Sequence, residues 1–279
     1  LAPLAAACHN GQEACVQVLL ESGAEIDRTQ NQGATPMHLA CKNGHGEIVK
    51  MLVSARAAVN PQNRHGTTPL LIACNNGHGE CVLNLLQGHA ELDLQDTDGA
   101  TALLNACVHG NALCVKLLVH ARAAVDLADK NGATPLHFAC NVGDWESTQM
   151  LLEARAKVDP PGGSHTPLIM ACGNGHARCV MLLLRARADV NRPDQNGGTP
   201  LFASSYYGHS ECVLQLLDAV ADVDQLNHEG ETPLLAAAFN NFPDIVRMLV
   251  EFGADTKIKC NGHDALSTAK QRGHNGIVR

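Results

Sequence analysis

One short string recurs along this chain at a nearly constant interval, and that interval limits the fold more than any other feature. Strings of the type Thr-Pro-Leu, each followed by small apolar residues, begin at Ala2, Thr35, Thr68, Thr101, Thr134, Thr166, Thr199, Thr232 and Asp264. Six of the eight intervals are 33 residues and two are 32. A period held this closely across all 279 residues means a stack of small supersecondary units, each burying its apolar face on the next. The two shorter intervals place one-residue deletions in connecting loops, at Pro160-Pro161-Gly162-Gly163 and near Lys257 to Cys260.

Each unit reads as helix, tight turn, helix, loop. Thr supplies an N-cap, and Pro follows at the first helical position, where its missing N–H costs nothing. Nine residues after the Thr position stands Gly11, Gly44, Gly77, Gly110, Gly143, Gly175, Gly208 or Gly273, which ends the first helix with a positive φ. The eighth unit departs here, with Asn240-Asn241-Phe242. A second apolar stripe, as in Ile48-Val49 and Cys114-Val115, predicts the inward face of a second helix. Pairs such as Asp98-Gly99, Asn131-Gly132 and Asn196-Gly197 predict the turn of a protruding loop.

The period, the TPMH and TPLH strings at Thr35 and Thr134, the Gly44-His45 and Gly77-His78 pairs and the closing Ala188-Asp189-Val190-Asn191 together resemble the ankyrin repeat. The resemblance runs over essentially the whole chain. It implies an all-α solenoid of helix-turn-helix units with protruding β-turn loops, forming one domain over residues 1–279. It also implies a non-enzymatic scaffold or adaptor that holds a partner protein or peptide on its concave groove. Two other readings are a regulatory or substrate-docking segment of a larger enzyme or channel, and an engineered binder; the irregularities among the units favour a natural protein. The first unit lacks its loop and the last stops within its second helix, and neither end shows a polar cap, so the chain is expected to be a segment of a longer one.

Composition narrows the partners. The formal charge is −8, which disfavours a nucleic-acid binder, since those carry a basic stripe. No apolar run reaches a membrane span, and no signal peptide is visible. The chain has 12 Cys and 15 His, and Cys74-x3-His78-x2-Cys81 even has the look of a metal site. The repeat explains these residues better. Cys8, Cys41, Cys74, Cys107, Cys140 and Cys172 share one register, and Cys15, Cys81, Cys114, Cys179 and Cys212 share another; both are expected to face the core. Only Cys260 falls in a loop. No CxxC cluster, catalytic triad or phosphate loop stands apart from the repeat, so neither a metal nor a cofactor is expected. So many unpaired thiols suggest a reducing intracellular compartment, the cytoplasm or the nucleus. His38 and His137 are expected to hydrogen-bond loop backbone, as the resemblance implies.

Function is therefore sought in the variable positions. In the resembling family the partner meets the loop tips and the ends of the first helices, here the residues four, three and one before the Thr position and seven and eight after it. Those positions nominate Tyr206, Tyr207, Phe239, Asn240, His109, Asn141, Asn75 and Asn76, with Trp145 nearby as either a core cap or an edge of the surface. Exposed aromatics are favoured anchors, and five of the chain's eight lie between Phe202 and Phe242. One Trp speaks against an aromatic cage for methyl-lysine. Acidic loop residues (Asp96, Asp98, Asp129, Asp194, Glu229 and Glu231) are expected to line one rim and favour a basic or mixed peptide. Where the family has Gly before Ala-Asp-Val, this chain has Arg56, Arg122, Arg155 and Arg187, with His89 and Val220 in two other units. This is either a shared structural habit or a basic ladder for an acidic partner. Asn191 lies in a string that resembles the site modified by asparaginyl hydroxylases in ankyrin repeats.

Overall fold

The computed structural model describes residues 1–278. Among the described residues it is helical, apart from a 3-10 turn at Asn31–Gly33 and one isolated bridge between Cys260 and His263. It divides into two compact units, Leu1–Phe138 with Glu153–Ala156, and Ala139–Leu152 with the chain from Lys157 onward. In the first unit, helices Pro3–Asn10, Pro36–Asn43, Pro69–Asn75 and Ala102–Val108 pack each on the next. Their partners Glu13–Glu21, Gly46–Ser54, Gly79–Gln87 and Ala112–His120 make a second row. In the second unit the inner row is Pro167–Gly173, Pro200–Tyr207, Pro233–Phe239 and Ala265–Arg272. Its outer row is Ala177–Arg185, Ser210–Asp218, Pro243–Glu251 and Asn275–Val278. Helices Pro135–Val142 and Trp145–Glu153 carry the division between the units.

None of these helices exceeds nine residues, so none would hold alone in water, where even good sequences need about 12–15 residues. Caps and stacking make up the difference. Thr68, Thr101, Thr166, Thr199 and Thr232 each accept the backbone N–H three residues on, at 3.0–3.2 Å. The Leu two residues after each cap is buried, as are the Ala and Cys one turn later (Ala237 and Ala238 after Thr232); small residues there let neighbouring helices approach closely. Ser204 and Ser205 take those two places in the seventh repeat and are equally buried.

The turn between helices is built from two repeats at once. Gly44, Gly143, Gly175 and Gly208 have φ of 75–85°, and the ring from the next repeat occupies the space a Cβ would fill. That ring belongs to His78, His176, His209 and, in the eighth repeat, Phe242. The imidazoles of His45, His78, His176, His209 and His274 each bond a carbonyl at the end of the preceding first helix, at 2.9–3.3 Å. The loops are linked the other way. Side chains of Asp27, Asn60 and Asp93 accept the backbone N–H of Ala58, Glu91 and Ala124 in the first unit. Asp159, Asn191 and Asp224 accept those of Asp189, Asp222 and Asp255 in the second. Arg192 braces the shortened loop by donating to the Asp159 and Pro160 carbonyls.

Two expectations are corrected. Cys15 is exposed, because in its register the thiol packs toward the preceding repeat and Cys15 belongs to the first repeat of this sequence. The acidic rim is also smaller than its sequence suggests. Asp96, Asp129 and Asp194 are half-buried, and each spends a carboxylate oxygen on two backbone N–H groups of its own turn.

The non-Gly residues before Ala-Asp-Val do adopt the left-handed conformation: φ is 63° at Arg56, 68° at Arg122, 64° at Arg155, 66° at Arg187 and 63° at Val220. All four Arg are exposed, and none forms an ion pair among the described residues. The strain is greatest at β-branched Val220, where the left-handed cost of roughly 1–2 kcal/mol exceeds the extra chain entropy of Gly, roughly 0.5–1 kcal/mol. Val220→Gly is expected to raise the unfolding free energy by about 1 kcal/mol, seen as a higher urea midpoint at unchanged slope. A midpoint that stays put or falls would mean the strain is relieved elsewhere.

Candidate functional site

The ends of the first helices in the second unit surround an open groove of about 850 Å³. Helix Pro200–Tyr207 contributes Phe202, Ala203, Tyr206 and Tyr207, four positions on one face because three and four residues make a helical turn. Helix Pro167–Gly173 contributes Ile169, Met170 and Gly173. The loops add His165, Asp194, Asn196, His228, Glu229 and Glu231.

The aromatic wall is ordered by its own contacts. Phe202 stacks on Tyr206 with ring centroids 6.1 Å apart, and Tyr206 meets Tyr207 edge-on at 5.0 Å. Tyr207 stands beside Gly173, where a Cβ would lie 3.8 Å from its ring, in ordinary van der Waals contact. Both tyrosines remain open, 40% and 59% exposed. Opposite them, Asp194 Oδ2 lies 3.3 Å from His165 Nε2, an ion pair when the imidazole is protonated, and Ser164 Oγ is 2.8 Å from the other ring nitrogen. Glu231 accepts from Asn227 at 3.0 Å.

The nominated residues divide by what they touch. Tyr206, Tyr207 and Asn141 come together in this groove. Phe239 lines a neighbouring one of about 500 Å³ with Leu235, His263 and Arg272, whose guanidinium lies 3.3 Å above the Phe239 ring. Trp145 begins a second helix outside both linings, half-buried, with the Arg178 guanidinium 3.3 Å over its ring. Asn240 and Asn76 each donate to the carbonyl four residues back, satisfying helix-end acceptors. In the first unit Asn75 and His109 are exposed. Asn191, the residue of the hydroxylase-like string, uses its amide oxygen on Asp222 N–H at 2.8 Å. Sequence reasoning missed Ile169, Met170 and Phe202 as lining residues; their place one helical turn before the exposed ends was the available signal.

The thiols have no comparable setting. Burial pushes the Cys8 and Cys212 thiols up to about 12 and raises those of Cys41, Cys74 and Cys172 well above the ordinary range, so they remain inert fillers at neutral pH. No group of three or more His, Cys, Asp or Glu is arranged to hold a metal among the described residues, and no helix there is long and apolar enough to cross a membrane.

Comparison with known proteins agrees with the geometry. The family model described as ankyrin repeats (3 copies) matches residues 4–96, 70–162, 156–227 and 215–279. The chain belongs to the ankyrin repeat family, whose members are generally protein–protein interaction modules and typically non-enzymatic. Among solved structures it is similar to the human ASB11 ankyrin repeat domain, with 27% identity and a TM-score of 0.70 over 77% of this chain and 98% of that one. No curated protein matches it in sequence.

Proposed function

We propose that the chain is an interaction module that seats a partner protein segment in the second unit's groove, against Tyr206 and Tyr207. The observation carrying this reading is a pair of exposed tyrosines held edge-on at the wall of an open groove of about 850 Å³. Tyrosine loses little rotamer entropy on contact and offers both ring and hydroxyl, which is why it anchors interfaces. Phe239 and Arg272 extend the surface toward the ninth repeat. Twelve cysteines, none of them in a disulfide, support a reducing compartment, the cytoplasm or nucleus, as its setting.

The test compares the wild-type chain with Tyr206→Ala/Tyr207→Ala in proximity labelling and in selections from a peptide display library. Wild type is expected to enrich specific partners, and the double variant to lose them by at least tenfold, as for anchors worth about 2 kcal/mol or more. Unchanged circular dichroism must accompany the loss. Partners that all survive the double change would place the binding surface elsewhere.

A further inference from the structure

The groove has a definite chemical bias. Its lining holds the carboxylates of Asp194, Glu229 and Glu231, the imidazoles of His165 and His228, and neither lysine nor arginine. Asp194 is engaged with its own turn and with His165. Glu231 takes a single side-chain bond from Asn227, and exposed Glu229 has no ion-pair partner among the described residues. Two other rings of the same unit are covered by a cation. Trp145 lies under Arg178 and Phe239 under Arg272, each with the guanidinium carbon 3.3 Å from the ring centre. No guanidinium covers Tyr206 or Tyr207 among the described residues, although both are more exposed than Phe239 at 37%. Negative surplus and exposed ring surface free of any cation share one complement, a planar cation.

We propose that this groove selects a partner segment by an arginine side chain, whose guanidinium stacks on the Tyr206–Tyr207 face and whose charge is answered by Glu229 and Glu231. This rests on the groove reading above and adds the chemistry of the occupant. Arginine is preferred to lysine on physical grounds. A guanidinium is flat, weakly hydrated and forked, so it can cover a ring and still donate to a carboxylate, whereas an ammonium gives up more hydration for one point contact.

A display library of short random linear peptides is selected on the full chain, on Glu229→Gln/Glu231→Gln and on Tyr206→Ala/Tyr207→Ala. The wild-type pool is expected to enrich arginine over lysine at a fixed position. For the best peptide made synthetically, replacing that arginine by lysine is expected to weaken binding about tenfold, and Glu229→Gln/Glu231→Gln to do the same while flattening the salt dependence. A pool without arginine, or one rich in acidic residues, overturns the proposal, as does affinity indifferent to either exchange. If such peptides still lose binding on the tyrosine double variant, only the arginine assignment falls. If they do not, the groove reading falls with it.

Discussion

Gly175→Val is expected to cost the second unit about 3 kcal/mol of stability, from left-handed strain of a β-branched residue plus overpacking. Gly175 has φ of +75°, and a Cβ there would lie 2.5 Å from His209 Nδ1. The ring cannot yield cheaply, because its other nitrogen lies 3.0 Å from the Gly173 carbonyl. Gly230 supplies the control: its φ is +80° but nothing lies within 4 Å of the added carbon, so Gly230→Val should show the backbone part alone, roughly 1–2 kcal/mol. Removing the obstructing ring separates the two terms. Gly175→Val/His209→Ala should be less destabilised than the sum of its single changes by about 1 kcal/mol, measured by urea titration. Strict additivity would mean that ring and turn are independent, contrary to the geometry.

His38→Leu is expected to cost the first unit about 2–3 kcal/mol and to remove much of its acid sensitivity. The imidazole is 1% exposed and serves two backbone groups: Nδ1 accepts Thr35 N–H at 3.1 Å, which leaves Nε2–H to donate to the Thr67 carbonyl at 3.0 Å. Leucine would fill the space and leave both groups unsatisfied. Burial lowers the His38 pKa from its ordinary 6.5, with the Thr67 and Pro61 carbonyls opposing part of the shift. The unfolded chain therefore binds the proton more readily than the folded one. The contribution from neutral His38 is complete above pH 6.5 and is lost as the pH falls below that value and through the lower folded value. Protonated Nδ1 could no longer accept from Thr35, so a stability profile from pH 7.5 to 5 should fall more steeply in wild type than in His38→Leu, by the buffered range alone. Parallel profiles would assign the acid sensitivity to other groups.

Much of this was legible in the sequence because each structural position is written about nine times over. The Thr caps, the left-handed glycines and the imidazoles reaching back one repeat follow from local rules that the period makes visible. Tyr206 and Tyr207 were legible too, as departures at positions seven and eight after the cap, and Glu229 and Glu231 stood out as acidic loop residues. What the pattern concealed depends on neighbours one repeat away. Met170 and Phe202 sit on the stripe where the repeat places its core, yet they stay half-open to the groove, and Ile169 reaches its lining although buried. Asp96, Asp129 and Asp194 read as a charged rim, although their carboxylates turn inward to their own backbone. Phe239 read as an anchor and Trp145 as a core cap or an edge, and only side chains of the following repeat decide that an arginine covers each.

The cross-repeat bonds also give the stack a direction. The turn imidazoles of His45, His176 and His209 look back to an earlier helix, while the loop carboxylates of Asp27, Asp159 and Asp224 look ahead to a later backbone N–H. A cut between two repeats therefore leaves unlike scars: orphaned carbonyls and reaching side chains on the upstream face, stranded rings and bare amides on the downstream one. A terminator that heals one scar is chemically wrong for the other, so a shortened version of this protein would need two different lids.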